Sequence, residues 1–532
     1  MQYTAVSEVS TLVSTAFSTK WNMSQLLPYC VAIVALFFLK LSLSSQHRST
    51  NPAEPGQIQP RPWYIGHMTG MISRHTHYFN DLSKTHGVDI AILPMPLGKI
   101  YAIWDIHLIQ SALRSSAMSF DAIMMQHARG LLGLNERCLE VARTGMLRDL
   151  MRLTTSLLSG RSLATISVDF LNHAAPVLNE LGARPTYCIS DFYDWVQTIA
   201  TLATTDTLYG ELNPFRKDEG LLVDVWLFEA GLRRLAMNIF PAVTARRPSH
   251  ARDRLVRAIT PLFDETISDQ SLLPTLTLKR VEVIRSHGIT DPEQVARIEL
   301  ALLHGATVNT VPTLFWTLTH VLACPELVRD IRREARTYIQ PGAEIVVPFS
   351  VLSDSSPLLM SVFRETTRLV NSAMSTRFAM KDALIADEHG REYLIRSGST
   401  VMMPATAHLS TDVWGSDAAE FKSTRFYGWD SRDKPEIKKR RAAYMPFGGG
   451  KHLCPGRNLA QYEILGMVLA MVMAFDVEDA HSPNKPVQIP QLDPARMGQG
   501  VGKPTFSKPG NRLAAKLSVR TGWENARWRF TV

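Results

Sequence analysis

Cysteine is scarce. Five residues, Cys30, Cys138, Cys188, Cys324 and Cys454, are scattered over 532 positions. An odd number without framework spacing excludes a disulfide-stapled fold and fits a reducing compartment. Charge of one sign is also thin. The formal net charge of +8 is modest for this length, with no stripe dense enough to hold nucleic acid; it fits a basic face turned to a membrane or an acidic partner. No segment repeats along the chain. Apolar residues make up 45% and charged residues 20%, an ordinary globular core large enough to enclose a cofactor and a lipophilic ligand.

Long hydrophobic runs are few, and one stands near the start. Leu26 to Leu43 is broken only by Lys40 and Ser42; as a helix it would span roughly 27 Å, close to a bilayer core. His47, Arg48 and Arg61 follow it, whereas Glu8 and Lys20 balance before it, so the positive-inside bias puts the following bulk in the cytosol. This reading divides the chain into a short lumenal segment (1–25), a transmembrane anchor (26–45), a hinge (46–62) with Pro52, Pro55, Pro60 and Pro62, and a catalytic body (63–532). A cleaved signal peptide is the competing reading of the same run.

The densest chemistry lies at Phe447-Gly448-Gly449-Gly450-Lys451-His452-Leu453-Cys454-Pro455-Gly456-Arg457, followed by an apolar run to Phe475. A phosphate-binding loop is excluded, because no Ser or Thr follows Lys451. Cys454 stands after a glycine-rich turn and before a helix, where amide N–H groups and the positive dipole end can stabilise a thiolate. Taken alone it reads rather as an inert thiol ahead of a core helix, and the four fixed positions around it reverse that reading. The spacing of Phe447, Gly450, Cys454 and Gly456 resembles the haem-binding loop of the cytochrome P450 superfamily.

That resemblance implies a mainly α fold with a small β region, the cytochrome P450 fold, here preceded by a single N-terminal transmembrane helix. It implies haem b with Cys454 as axial ligand of the iron, His452 and Arg377 facing propionates, and a buried network of Glu365, Arg368 and Arg425. In most family monooxygenases an acid and a Thr on the long central helix relay protons for oxygen activation. Here Asn309 stands in the acid's place before Thr310 and Pro312, which is similar to the branch holding sterol 7-alpha-hydroxylases and prostacyclin synthase. Thr310 is then the oxygen-activating hydroxyl and Asn309 a water-positioning amide. The family's usual Trp-x-x-x-Arg is incomplete, since Arg148 and Arg152 have no Trp near them.

Coarser expectations complete the reading. Asp89 to Trp104 reads as a strand pair. Leu221 to Phe240 reads as one amphipathic helix, either core-facing or, by the resemblance, the roof of a substrate channel dipping into lipid. A single helix is expected over Asp291 to Ala323, kinked at Pro312. The Lys438 to Arg441 run reads as a solvated loop, and Arg496 to Arg520 as a hairpin whose tip lines the pocket. The function implied is oxidation of a lipophilic small molecule, such as a terpenoid, steroid or polyketide intermediate, in secondary-metabolite biosynthesis at the endoplasmic reticulum membrane. Its partners would be NADPH-cytochrome reductase and cytochrome b5, with no nucleic acid. A reductase-independent isomerase or dehydratase acting on a peroxide is the alternative, and a non-catalytic haem sensor a remote one.

Overall fold

Polar side chains cap four of the helices that carry most of the described chain, those opened by Asp105, Asn135, Asp191 and Asp291. In the computed structural model, which describes residues 53–60, 66–95, 98–371, 373–431, 434–493, 500–505 and 512–532, Asp105 accepts from the N–H of Leu108 at 2.8 Å to open its helix. Asp291 accepts from Glu293 ahead of Pro292 at the first helical position, where a missing N–H costs nothing. The lumenal segment, the anchor and most of the hinge lie outside the described residues. Among those described, no single helix is long and apolar enough to cross a membrane.

In chain order, the elements that frame the site begin with the hairpin β1 (Ile90–Met95) and β2 (Gly98–Ile103), then α1 (Ile106–Arg114), β3 (Met118–Ser119) and α2 (Asp121–Leu132). Next come α3 (Gly160–Gly182), β4 (Thr186–Ile189), α4 (Gly220–Ala230), α5 (Leu232–Met237) and α6 (Arg246–Ile259). The central helices are α7 (Pro292–Thr307), α8 (Thr310–Leu322) and α9 (Pro357–Val370), followed by β5 (Met374–Ala379), β6 (Thr400–Pro404) and α10 (Pro435–Ala443). Last are α11 (Arg457–Ala474), β7 (Phe475–Asp479) and β8 (Ala515–Val519). One sheet runs β1–β2–β6–β5–β3, and a smaller one β7–β8–β4. The fold is helical with a small β region, as expected.

Two helices are buried all round, which marks the centre of the molecule. Every residue of α8 and every residue of α11 from Glu463 to Ala474 is buried, and both join α3 and α9 in one hydrophobic cluster. The expected strand pair at 89–104 is present as β1–β2.

Four expectations are corrected. The helix expected over Asp291 to Ala323 is two, α7 and α8, separated at Val308 and Asn309. Pro312 cannot donate to the carbonyl four residues back, that of Val308, so the break falls where the ladder loses a rung. Leu221 to Phe240 is likewise two helices. They part at Gly231, where a Cβ would lie 2.1 Å from the Pro248 ring of α6, and Ile239 and Phe240 are exposed. The basic run is helical: Arg440 and Arg441 of α10 lie 5.8 and 5.2 Å over the rings of Trp414 and Trp429, so half of it packs on aromatic faces. Finally, β8 does not fold back on the 500–505 stretch but pairs with β7 and β4.

Candidate functional site

The loop before α11 is held from several sides. The N–H of Met445 donates to Nε2 of His408 at 2.9 Å, and Nδ1 of the same ring faces the Asn371 carbonyl at 3.2 Å. These partners assign a neutral ring with the proton on Nδ1; burial, helped by Arg368, pulls its pKa down to about 4. Asn371 donates through Nδ2 to the Pro446 carbonyl at 2.5 Å. Gly450 packs so closely on α1 that a Cβ there would lie 2.1 Å from the Leu113 carbonyl oxygen, and its φ is +65°, a conformation glycine adopts freely.

Cys454 follows, its N–H donating to the Phe447 carbonyl at 3.1 Å. The thiol lies at the N-terminal end of α11, where the N–H groups of Gly456 and Arg457 and the Arg457 guanidinium favour its anion. Burial nevertheless pushes the thiol pKa up; the N–H bonds and the Arg457 guanidinium pull the other way. In the loop by itself, desolvation of the anion is the largest influence. A coordinated metal ion would reverse that balance. From Cys454 to Tyr462 every residue stays partly open, although the helix beyond is buried.

Opposite chemistry lines the neighbouring elements. Arg377 of β5 is 4% exposed, and its guanidinium donates to the carbonyls of Thr376 and Gly449 at 2.9 and 3.1 Å. Among the described residues no carboxylate forms an ion pair with it. Burial lowers its pKa, opposed by Asp121. A buried cation bonded only to carbonyls is short of an anion. His452 lies nearby, with Nδ1 3.4 Å from Asp121 and Nε2 3.5 Å from the Phe120 N–H. Both side chains border Phe120, which Arg377 faces at 5.6 Å.

The helix pair α7–α8 carries an open stripe. Ala301, Gly305 and Asn309, each four residues from the next, are exposed on an otherwise mostly covered helix, and a Cβ at Gly305 would meet nothing within 4 Å. Thr310 is buried beside the end of this stripe. Oδ1 of Asn309 accepts the N–H of Val501 at 3.1 Å, and Val501 bridges to Asn371, which bonds the cysteine loop. A short relay thus ties the stripe to the loop. The space beside Gly305, the thiol and the anion-seeking Arg377 fit a flat, iron-bearing group with acidic substituents.

Glu365 and Arg368 lie on α9, both fully buried, in a bidentate pair with both contacts at 2.8 Å. Arg425 reaches Oε1 of Glu365 at 2.8 Å. Arg368 also donates to the carbonyls of His408 and Ala418, so this network supports the loop from behind. Phe447 stacks on Phe363 of α9, centroids 6.5 Å apart. Arg148 and Arg152 stand apart, exposed and next to Asp149. Sequence reading missed His408; its one signal is a histidine inside the apolar stretch Val401 to Leu409.

Residues 244–496 match the family model described as Cytochrome P450. A cytochrome P450 monooxygenase of Gibberella zeae is 32% identical over 507 residues, covering 94% of this chain and 96% of the relative. The cytochrome P450 monooxygenase nodJ of Hypoxylon pulicicidum is 27% identical over 94% of this chain and 97% of its own length. A cholesterol 7-alpha-monooxygenase of Cricetulus griseus is 26% identical over 284 residues, 50% of this chain and 55% of that protein.

Proposed function

The chain belongs to the cytochrome P450 family, near its sterol 7-alpha-hydroxylating branch, and is a haem b monooxygenase; from this premise we propose that Cys454 ligates the iron and that Thr310 and Asn309 form the oxygen-handling pair. The observation that carries the assignment is the position of Cys454, whose N–H bonds the Phe447 carbonyl within the glycine turn and whose sulfur lies at the start of α11. Haem bound there supplies oxygen activation, its thiolate ligand pushing electron density onto the iron.

The remaining roles belong to the chain. Arg377 binds one propionate through a charge-assisted contact, and His452 donates to the other. Phe447, Gly450 and Gly456 shape the loop that lies along the porphyrin, and Glu365, Arg368 and Arg425 keep that loop in place. Thr310 holds a proton at its hydroxyl, buried from bulk water. Asn309 cannot donate as an acid. Its Oδ1 is occupied by Val501, leaving Nδ2 as the donor that orients water toward Thr310.

We extend the proposal to the setting. The substrate is a lipophilic terpenoid, steroid or polyketide intermediate of secondary metabolism. The exposed Val223, Leu227, Met237, Ile239, Phe240 and Val243 of α4, α5 and the turn after them support a roof resting on a membrane. The anchor at 26–45 would hold 63–532 on the cytosolic face of the endoplasmic reticulum, with electrons delivered by an NADPH-dependent reductase and assisted by cytochrome b5. Reduced protein with carbon monoxide should give the red-shifted Soret band of thiolate-bound iron. Cys454→Ser should abolish it, and an unchanged band in that variant overturns the assignment.

A further inference from the structure

Away from the thiol, three elements bordering the open stripe converge on one polar cluster. Glu229 is the penultimate residue of α4, His304 lies on α7 beside Gly305, and Lys503 follows the 500–502 stretch that contacts Asn309. Lys503 and Glu229 form an ion pair, with both residues buried, at 5% and 6% exposure. The Lys503 ammonium also stands 4.9 Å over the Trp226 ring. His304 packs edge-to-face against Phe228 at 5.7 Å, and its Nε2, withdrawn from solvent, meets no partner among the described residues.

Taking two charges out of water costs several kcal/mol each, and an apolar replacement is often the more stable choice. A buried ion pair beside an imidazole nitrogen with no partner among the described residues, next to the open stripe at Gly305, therefore has a better explanation in recognition than in stability. Such chambers take orientation from a few placed polar groups. The chemistry limits the ligand. Burial holds His304 uncharged, its pKa pulled down to about 4 despite the opposing field of Glu229, so it offers one donor and one acceptor. The ion pair sums to zero charge, and a carboxylate brought here would meet Glu229.

We propose that Glu229, His304 and Lys503 form a specificity site for a neutral oxygen function, a hydroxyl or ketone, on the substrate end remote from the oxidised carbon. His304 lies six residues ahead of Thr310, one turn before the break between α7 and α8. The site thus fixes how far the oxygen function lies from the atom that reacts. This rests on the proposal that Cys454 carries haem, because the iron provides the other fixed point.

Imidazoles bearing straight alkyl chains of increasing length, each made with and without a terminal hydroxyl, measure that span in the full-length haem protein. Ligation is read from the Soret shift, and the ratio of plain to hydroxylated dissociation constants is taken at each length. The ratio should peak at one length at about tenfold, the worth of one buried hydrogen bond. His304→Leu should bring it to one, His304→Gln should keep most of it, and the paired change Glu229→Gln with Lys503→Met should lower it without leaving a lone buried charge. A ratio at or below one at every length, or a peak that survives in His304→Leu, overturns the proposal. If the plain imidazoles give no Soret shift, the haem assignment itself has failed, a result separate from a missing hydroxyl effect.

Discussion

A buried threonine next to an amide, in place of the usual acid, concentrates proton handling on one hydroxyl. Asn309 is tied by its oxygen to Val501, so Thr310 is the remaining side chain there that can both accept and pass a proton. Thr310→Ala should lower product formation by ~10²-fold, the low end of what positioned proton relays contribute, while hydrogen peroxide release per NADPH rises. Product and peroxide yields at matched NADPH consumption measure both. The carbon monoxide spectrum should not change, because Cys454, the proposed ligand, is untouched. Asn309→Asp keeps an acceptor for Val501 and restores an acid; labelling with ¹⁸O₂ should still place one labelled atom in the product.

At the level of elements, the cysteine loop works because three others close on it: α1 beneath Gly450, α9 behind Phe447, and the His408–Asn371 clasp at its start. Gly450 is the tightest point. An alanine there meets backbone rather than a side chain that can swing away, and it must also hold a left-handed conformation costing roughly 1–2 kcal/mol. Gly450→Ala should therefore yield protein with much less haem per chain. Soret absorbance against total protein checks this, and circular dichroism should find the helices retained. The break between α7 and α8 belongs to this scale as well. At this break Asn309 meets the C-terminal stretch through Val501.

At the scale of the whole molecule, burial keeps several of the described histidines neutral. His304, His320 and His408 each have a pKa pulled from 6.5 down to about 4 by burial. Between those values the unfolded chain binds protons that the folded chain refuses, so stability falls as pH drops through that window and is unaffected above it. The full shift corresponds to about 3 kcal/mol per histidine. Urea midpoints of the haem protein should be level from about pH 8 to pH 7 and fall steeply toward pH 5. His320 sits outside the cysteine loop, stacked on Phe421 at 4.4 Å; His320→Gln should flatten the slope by about one histidine's share.

What the sequence determined is what lies close along the chain. Phe447, Gly450, Cys454 and Gly456 fall within ten residues, and Glu365 and Arg368 share one helix face, so the resemblance that implies their chemistry could be read from local spacing. The β1–β2 pair and the apolar run of α11 were legible for the same reason, since alternation and continuous hydrophobicity are short-range signals. Only the tertiary structure decided which distant residues meet. Val501 occupies Asn309 from 192 positions away, His408 clasps Met445 from another segment, and Lys503 finds Glu229 across 274 residues. Such contacts depend on how buried helices pack around one another, and no local periodicity encodes that. The surroundings of the thiol divide in the same way. Its N–H partners are neighbours in sequence, but the desolvation that outweighs them comes from the whole fold.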